Sequence, residues 1–151
     1  MVKLEFSIDI QASAQKVFDV VTGKETAAAW ISVFSPHSFF EGSWDEGQKI
    51  TFKTPDEHGR INGMVCRIEK NIPGKELYIQ PLGSFMDGKE ITDSKTIESL
   101  AVTYENYLFN QKDGYSELKI LAVALAEFES FFNETWPVAL KLIKEMAEGD
   151  E

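Results

Sequence analysis

Cysteine occurs once in this chain of 151 residues, at Cys66. A lone thiol excludes an intramolecular disulfide and any thiolate-cluster metal site. It fits a reducing, cytoplasmic setting, which is the expected location. Histidine is almost as scarce. With only His37 and His58, a His-rich metal site is out of reach. No stretch approaches the roughly 18 consecutive apolar residues that a membrane span requires. The opening residues, Met1-Val2-Lys3-Leu4-Glu5, have no basic region leading into an apolar core, so no secretory signal is expected. Positive charge is in deficit: 15 Lys and Arg against 25 Asp and Glu leave a net charge of −10. A surface of that sign repels nucleic-acid phosphates and anionic membranes, so neither is an expected partner. A nucleophile elbow, a phosphate-binding glycine loop and a dinucleotide fingerprint are all missing, and no cofactor is implied.

Aromatic residues are plentiful: eleven Phe, four Tyr and three Trp. They either fill a core or line a pocket, since ligand cavities favour aromatic and apolar walls. Residues 127–148 form one long predicted helix with a wide apolar face. Phe128, Phe131, Phe132, Trp136, Ala139, Leu140, Leu142, Ile143, Met146 and Ala147 share one half of the helical wheel. Such a helix spans about 30 Å, the width of a small domain. Pro137 lies opposite that stripe. Either it bends a continuous helix around a cavity, or a new helix begins there with Thr135 as its cap.

The rest of the chain, a single domain over residues 1–151, reads mostly as strand. Residues 2–10 alternate cleanly, with Leu4, Phe6, Ile8 and Ile10 on one face. Ser13 stands at an N-cap position, Gly23 ends the first short helix, and a second short helix follows over residues 24–30. Strands are predicted over residues 38–41, 49–54, 60–71, 76–82, 100–110 and 115–124. Pro55 to Gly59, Pro73-Gly74 and Lys112-Asp113-Gly114 supply the turns between them. Residues 83–99 read as a polar loop with a turn signal at Asp87-Gly88. Consecutive hairpins with helices at both ends imply an α+β arrangement, an antiparallel sheet with the long helix on one face.

Ionisable candidates for chemistry are few. His37 lies near the expected pocket mouth and is the one candidate acid–base group; His58 belongs to a charged turn. The acidic pairs Asp45-Glu46, Asp56-Glu57 and Asp150-Glu151 read as solvent-facing. Cys66, between Met64 and Ile68, reads as a buried, inert thiol. Gln80 and Asn106 interrupt strand faces that otherwise look buried. Alternation groups Asn106 with Val102, Tyr104 and Leu108, and Gln80 with Tyr78 and Leu82. A buried amide without a partner costs about 1–3 kcal/mol, so each needs a partner or a polar ligand atom.

The order of these segments resembles the START-like, or Bet v 1-like, helix-grip superfamily. Within it, the branch related to the Hsp90 co-chaperone activator domain is the most similar. FSIDIQASAQKVFDVVTGKETAAAW at the start, FEGSWDEGQKITF, INGMVCRIEKNIPGKELYI and VTYENYLFNQKDGYSELKI, followed by the long helix, carry the likeness over essentially the whole chain. Gln80-Pro81-Leu82 departs from the Trp-containing strand end common in that branch, and the loop over residues 83–99 is longer. The resemblance implies a curved antiparallel sheet wrapped around the C-terminal helix, two short helices after the first strand, and a hydrophobic tunnel between sheet and helix.

The leading functional expectation is therefore a non-enzymatic protein that holds a small apolar or amphipathic molecule. Its expected wall is Trp30, Phe34, Phe52, Met64, Cys66, Tyr78, Tyr104, Leu118, Phe128, Phe132, Trp136 and Leu140, with Gln80 and Asn106 supplying polarity. The resemblance leaves two alternatives open. One is a protein-interaction module of the chaperone-activator type. The other is a cyclase-like or hydrolytic enzyme, which requires an ionisable group inside the cavity. No catalytic or metal-ligating residue is assigned.

Overall fold

The computed structural model describes residues 1–149; the acidic pair Asp150-Glu151 lies outside the described residues. Strand β1 runs over Val2–Ile10 and is followed by α1 (Ala14–Thr22) and α2 (Lys24–Ile31). Then come β2 (Phe39–Gly42), β3 (Lys49–Pro55), β4 (Ile61–Ile72), β5 (Glu76–Met86) and β6 (Lys89–Ile91). A one-turn helix α3 (Ser94–Glu98) leads to β7 (Val102–Gln111) and β8 (Ser116–Ala124). A 3₁₀ turn (Ala126–Phe128) introduces the closing helix α4 (Glu129–Gly149). The strands form one antiparallel, curved and unclosed sheet in the order β1-β8-β7-β5-β4-β3-β2. β6 is attached to the far end of β5. This is the α+β helix-grip architecture expected.

The α1–α2 junction is short because the sequence caps both helices through two residues. The Lys16 amide donates to Ser13 Oγ at 3.1 Å, satisfying one of the free donors of the first turn. Ser13→Ala is expected to cost about 1 kcal/mol in urea denaturation. Gly23 closes α1 and opens α2 with an ordinary φ of −66°. Its role is space, since a Cβ there would lie 2.5 Å from Thr26 Oγ1.

The polar stretch predicted as loop is more ordered than its composition suggests. β5 runs on to Met86, and Asp87 and Gly88, at φ of 48° and 87°, turn the chain back into β6. Two positive φ values in a row match the right-handed twist of a hairpin, which is why Asp-Gly suits the position. Asp93 then caps α3, accepting from the Thr96 amide at 2.8 Å.

The closing helix is continuous through Pro137, which is exposed on its outer side. The Thr135 hydroxyl donates to the Phe131 carbonyl at 2.6 Å, one turn back, so it is not the cap of a new helix. The C-terminal half of α4 is tied to the end of the first strand. The Gln11 amide donates to the Glu148 carboxylate at 2.7 Å, and Lys144 Nζ donates to the Asp9 carbonyl at 3.2 Å. α4 packs against β1, α1 and α2. Phe132, Trp136, Ala139, Leu140, Ile143 and Ala147 are its buried face. Phe131, expected in that face, is 42% exposed.

Candidate functional site

Between the N-terminal half of α4, the end of α2 and the sheet lies a cavity of about 280 Å³. That is close to the lower end of ligand-sized pockets, which run from roughly 300 to 1,000 Å³. α2 contributes Trp30, with Phe34 just beyond its end; α4 contributes Phe131, Phe132 and Trp136; β3 and β4 contribute Phe52 and Met64. Each is placed by simple geometry. Phe132 and Trp136 are one helical turn apart, so they share a face. Phe52 and Met64 are direct cross-strand partners, so their side chains leave the sheet together. Gly63, beside them, also borders the cavity. A Cβ at Gly63 would lie 1.8 Å from the Phe52 carbonyl oxygen, so the two strands approach as closely as they do only because no side chain is present.

The aromatic rings partly fill the space and partly wall it. Trp136 is only 1% exposed; its ring meets Phe34 at 4.9 Å, Trp30 at 5.8 Å and Tyr107 at 5.8 Å between centroids. The Trp30 indole N–H is already used, donating to the Val21 carbonyl at 3.1 Å. Ser35, Ser38 and Thr54 add polarity to the lining. Ser38 donates its single hydroxyl proton to the Ser35 carbonyl at 2.6 Å. The 2.6 Å contact between Ser38 and Thr54 is therefore a bond donated by Thr54.

The polar end of the cavity is a carboxyl. Glu105 borders it, with Tyr107 beside it on β7, and the Tyr107 hydroxyl donates to Glu105 Oε1 at 3.1 Å. Glu105 is half-buried, and its desolvation among the surrounding side chains pushes its carboxyl up to about 7 from the ordinary 4.5, the Tyr107 bond only partly opposing this. Burial, and secondarily the Glu105 charge, pushes Tyr107 well above its usual range, so it stays a neutral donor. Cys66 is fully buried nearby, and burial pushes its thiol well up too, which makes it inert. No Lys, Arg or His lines the cavity.

Glu105 was absent from the expected wall, and a β-bulge explains why. Val102 pairs with Ala124 and Tyr104 with Val123, which leaves Thr103 as an extra residue in β7. The extra residue inverts the alternation after Val102. Glu105, Tyr107 and Phe109 turn inward opposite Ala122, Ile120 and Leu118, while Tyr104, Asn106 and Leu108 turn to the other face. Asn106 therefore pairs with Tyr78 on that outer face. Gln80 shares it, and its amide donates to the Thr103 carbonyl at 3.0 Å, satisfying the residue that the bulge leaves unpaired. Tyr78 donates to Glu76 at 2.6 Å, with Lys70 lying 5.3 Å from the centre of its ring.

Of the expected wall, the structure brings together Trp30, Phe34, Phe52, Met64, Phe132 and Trp136 around the cavity. Cys66, Leu118 and Leu140 face the same side but are packed into the buried core. Phe128 sits in the 3₁₀ turn, against the core. Tyr78, Gln80, Tyr104 and Asn106 are on the opposite sheet face. His37, an exposed residue at φ 65°, is not part of the cavity lining. His58 is exposed in its turn, near Glu57 and bordering an open, charged depression between β3, β4 and β5. Among the described residues, no cluster of His, Cys, Asp and Glu could hold a metal ion, and no helix is long and apolar enough to cross a membrane.

No family model matches the sequence, and no curated protein matches it significantly. Solved structures do share its architecture. The solution structure of the Aha1 dimer from Colwellia psychrerythraea is 16% identical, with a TM-score of 0.68 over 98% of this chain and 97% of that one. Protein MLL2253 from Mesorhizobium loti is 10% identical, with a TM-score of 0.70 over 99% of both chains. ChR145 from Cytophaga hutchinsonii is 14% identical, with a TM-score of 0.70 over 99% of this chain and 95% of that one. At such identities the likeness is one of fold, and the fold this chain has is the helix-grip fold of these proteins.

Proposed function

We propose that this protein binds a small, mostly apolar molecule in the cavity between α4 and the sheet. The observation that supports it is the cavity itself. Aromatic side chains line a partly open space of about 280 Å³, with the Glu105 carboxyl also in the lining. Protein interiors ordinarily close to crystal-like density, so a void of this size lined by Phe and Trp has a cost that binding offsets. Enzymatic use of the site has little support. Glu105 is the ionisable group that reading requires, yet its hydrogen-bond partner Tyr107 is held neutral, and no nucleophile–base pair borders the space.

Titration with 2-phenylethanol, followed by NMR, tests the proposal. The Met64 methyl and Trp136 indole resonances are expected to shift saturably, while Leu108 and Leu121 on the outer face stay in place. Equal movement of both sets, or no saturable shift up to the solubility limit, would reject it.

A second reading is favoured by the structural likeness to an Aha1 dimer: an interaction surface of chaperone-activator type on the outside of the same fold. The acidic net charge of −10 suits a basic partner. Affinity capture that enriches no chaperone would count against it.

A further inference from the structure

The geometry points to a ligand whose polar end is a cationic amine, held by the Glu105 carboxylate in the cavity that Trp30, Tyr107 and Trp136 also line. This rests on the binding reading above and names the chemical class that the site selects.

Three independent features converge on it. The first is hydrogen-bond accounting. An ionised carboxylate accepts about four hydrogen bonds and donates none. Among the described residues, Glu105 receives one side-chain bond, from Tyr107 at 3.1 Å. The remaining acceptor positions adjoin a cavity, so the occupant must bring donors.

The second is charge. The elements around Glu105 present Tyr107 on the same strand, Cys66 on β4, Ile79 on β5, Ala122 on β8, Trp30 on α2 and Trp136 on α4. None carries a positive charge. A carboxylate facing an apolar space without a counter-ion is unfavourable, and a ligand cation removes that imbalance. An anionic ligand would worsen it.

The third is the aromatic arrangement. Trp30 and Trp136 lie 5.8 Å apart, and each is about 6 Å from Tyr107, at 6.2 Å and 5.8 Å. All three border the cavity together with Glu105, so an amine held there also meets aromatic surface, which favours a cation. The hydroxyls of Ser38 and Thr54 are already bonded to one another, so the selective polar contact is at Glu105.

Three probes with one body and different heads test this: 2-phenylethylamine, 2-phenylethanol and phenylacetate, titrated into the full chain at pH 8 and pH 5.5. At pH 8 the amine is expected to bind at least about tenfold more tightly than the alcohol, with phenylacetate weakest. The preference should shrink at pH 5.5, where Glu105 is protonated. Glu105→Gln keeps the shape of the side chain. It should abolish the amine preference and its pH dependence, with an unchanged far-UV circular dichroism spectrum showing that the variant is folded. If the alcohol binds and the amine is no tighter, or if Glu105→Gln leaves the amine preference intact, the amine assignment is overturned. If none of the three binds, the cavity reading itself falls.

Discussion

Trp136→Ala should lower the unfolding free energy by about 3–5 kcal/mol, the largest loss expected from any single substitution in α4. Trp136 is 1% exposed and touches four rings: Phe6 on β1, Trp30 on α2, Phe34 in the loop beyond it and Tyr107 on β7. The space left by the indole would open into the existing cavity, and the surrounding rings, held by their own backbones, have little room to collapse. Domains are stable by only about 5–15 kcal/mol, so the variant should stand close to unfolding at room temperature. Urea denaturation gives the comparison directly. A loss below about 1.5 kcal/mol would mean that the ring cluster is loosely packed and that α4 is held mainly by its C-terminal half.

The second large effect concerns pH. Burial raises the Glu105 carboxyl from 4.5 to about 7, so between these values the folded chain holds a proton that the unfolded chain has lost. Its contribution to stability is full below pH 4.5, falls progressively as pH rises to about 7, and is flat above that. Glu105→Gln removes the titration. Relative to the natural chain, the variant should gain about 3 kcal/mol between pH 4.5 and pH 7.5. The comparison must be made as a difference between the two proteins. Exposed carboxyls work in the opposite sense: hydrogen bonds from Tyr78 and Lys70 hold Glu76 below its ordinary range, and one from the Arg60 amide does so for Asp56. Such groups contribute stability above their unfolded pKa and lose it as pH falls, equally in both proteins. Parallel stability–pH curves for the two would disprove the burial of Glu105.

Much of the fold is legible because its signals are local. The alternation in β1, the Ser13 cap, the Gly114 hairpin and the outward position of Pro137 all follow from residue types over a few positions. β6 and α3 were hidden inside a polar stretch because the residues that specify them, Asp87, Gly88 and Asp93, act through backbone geometry rather than hydropathy. The cavity was legible only in part. Trp30, Phe34, Phe132 and Trp136 lie in helical segments or beside them, where the periodicity is unambiguous. In β7 both faces carry an aromatic and an aliphatic or second aromatic residue: Tyr104 and Leu108 on one, Tyr107 and Phe109 on the other. Hydropathy could not choose between them, and the tie was decided by a bulge that pattern alone does not reveal.

That bulge lets one strand change its inward face without disturbing its neighbours. One added backbone residue at Thr103 places Glu105 opposite Ala122, where unbroken alternation would place Tyr104, while β7 stays paired with β8. Chains that share this scaffold at 10–16% identity need not rebuild a core to change which side chains of a strand face inward. A single insertion or deletion in one strand would re-letter the pocket, so aligning such chains column by column across β7 would compare side chains that point in opposite directions.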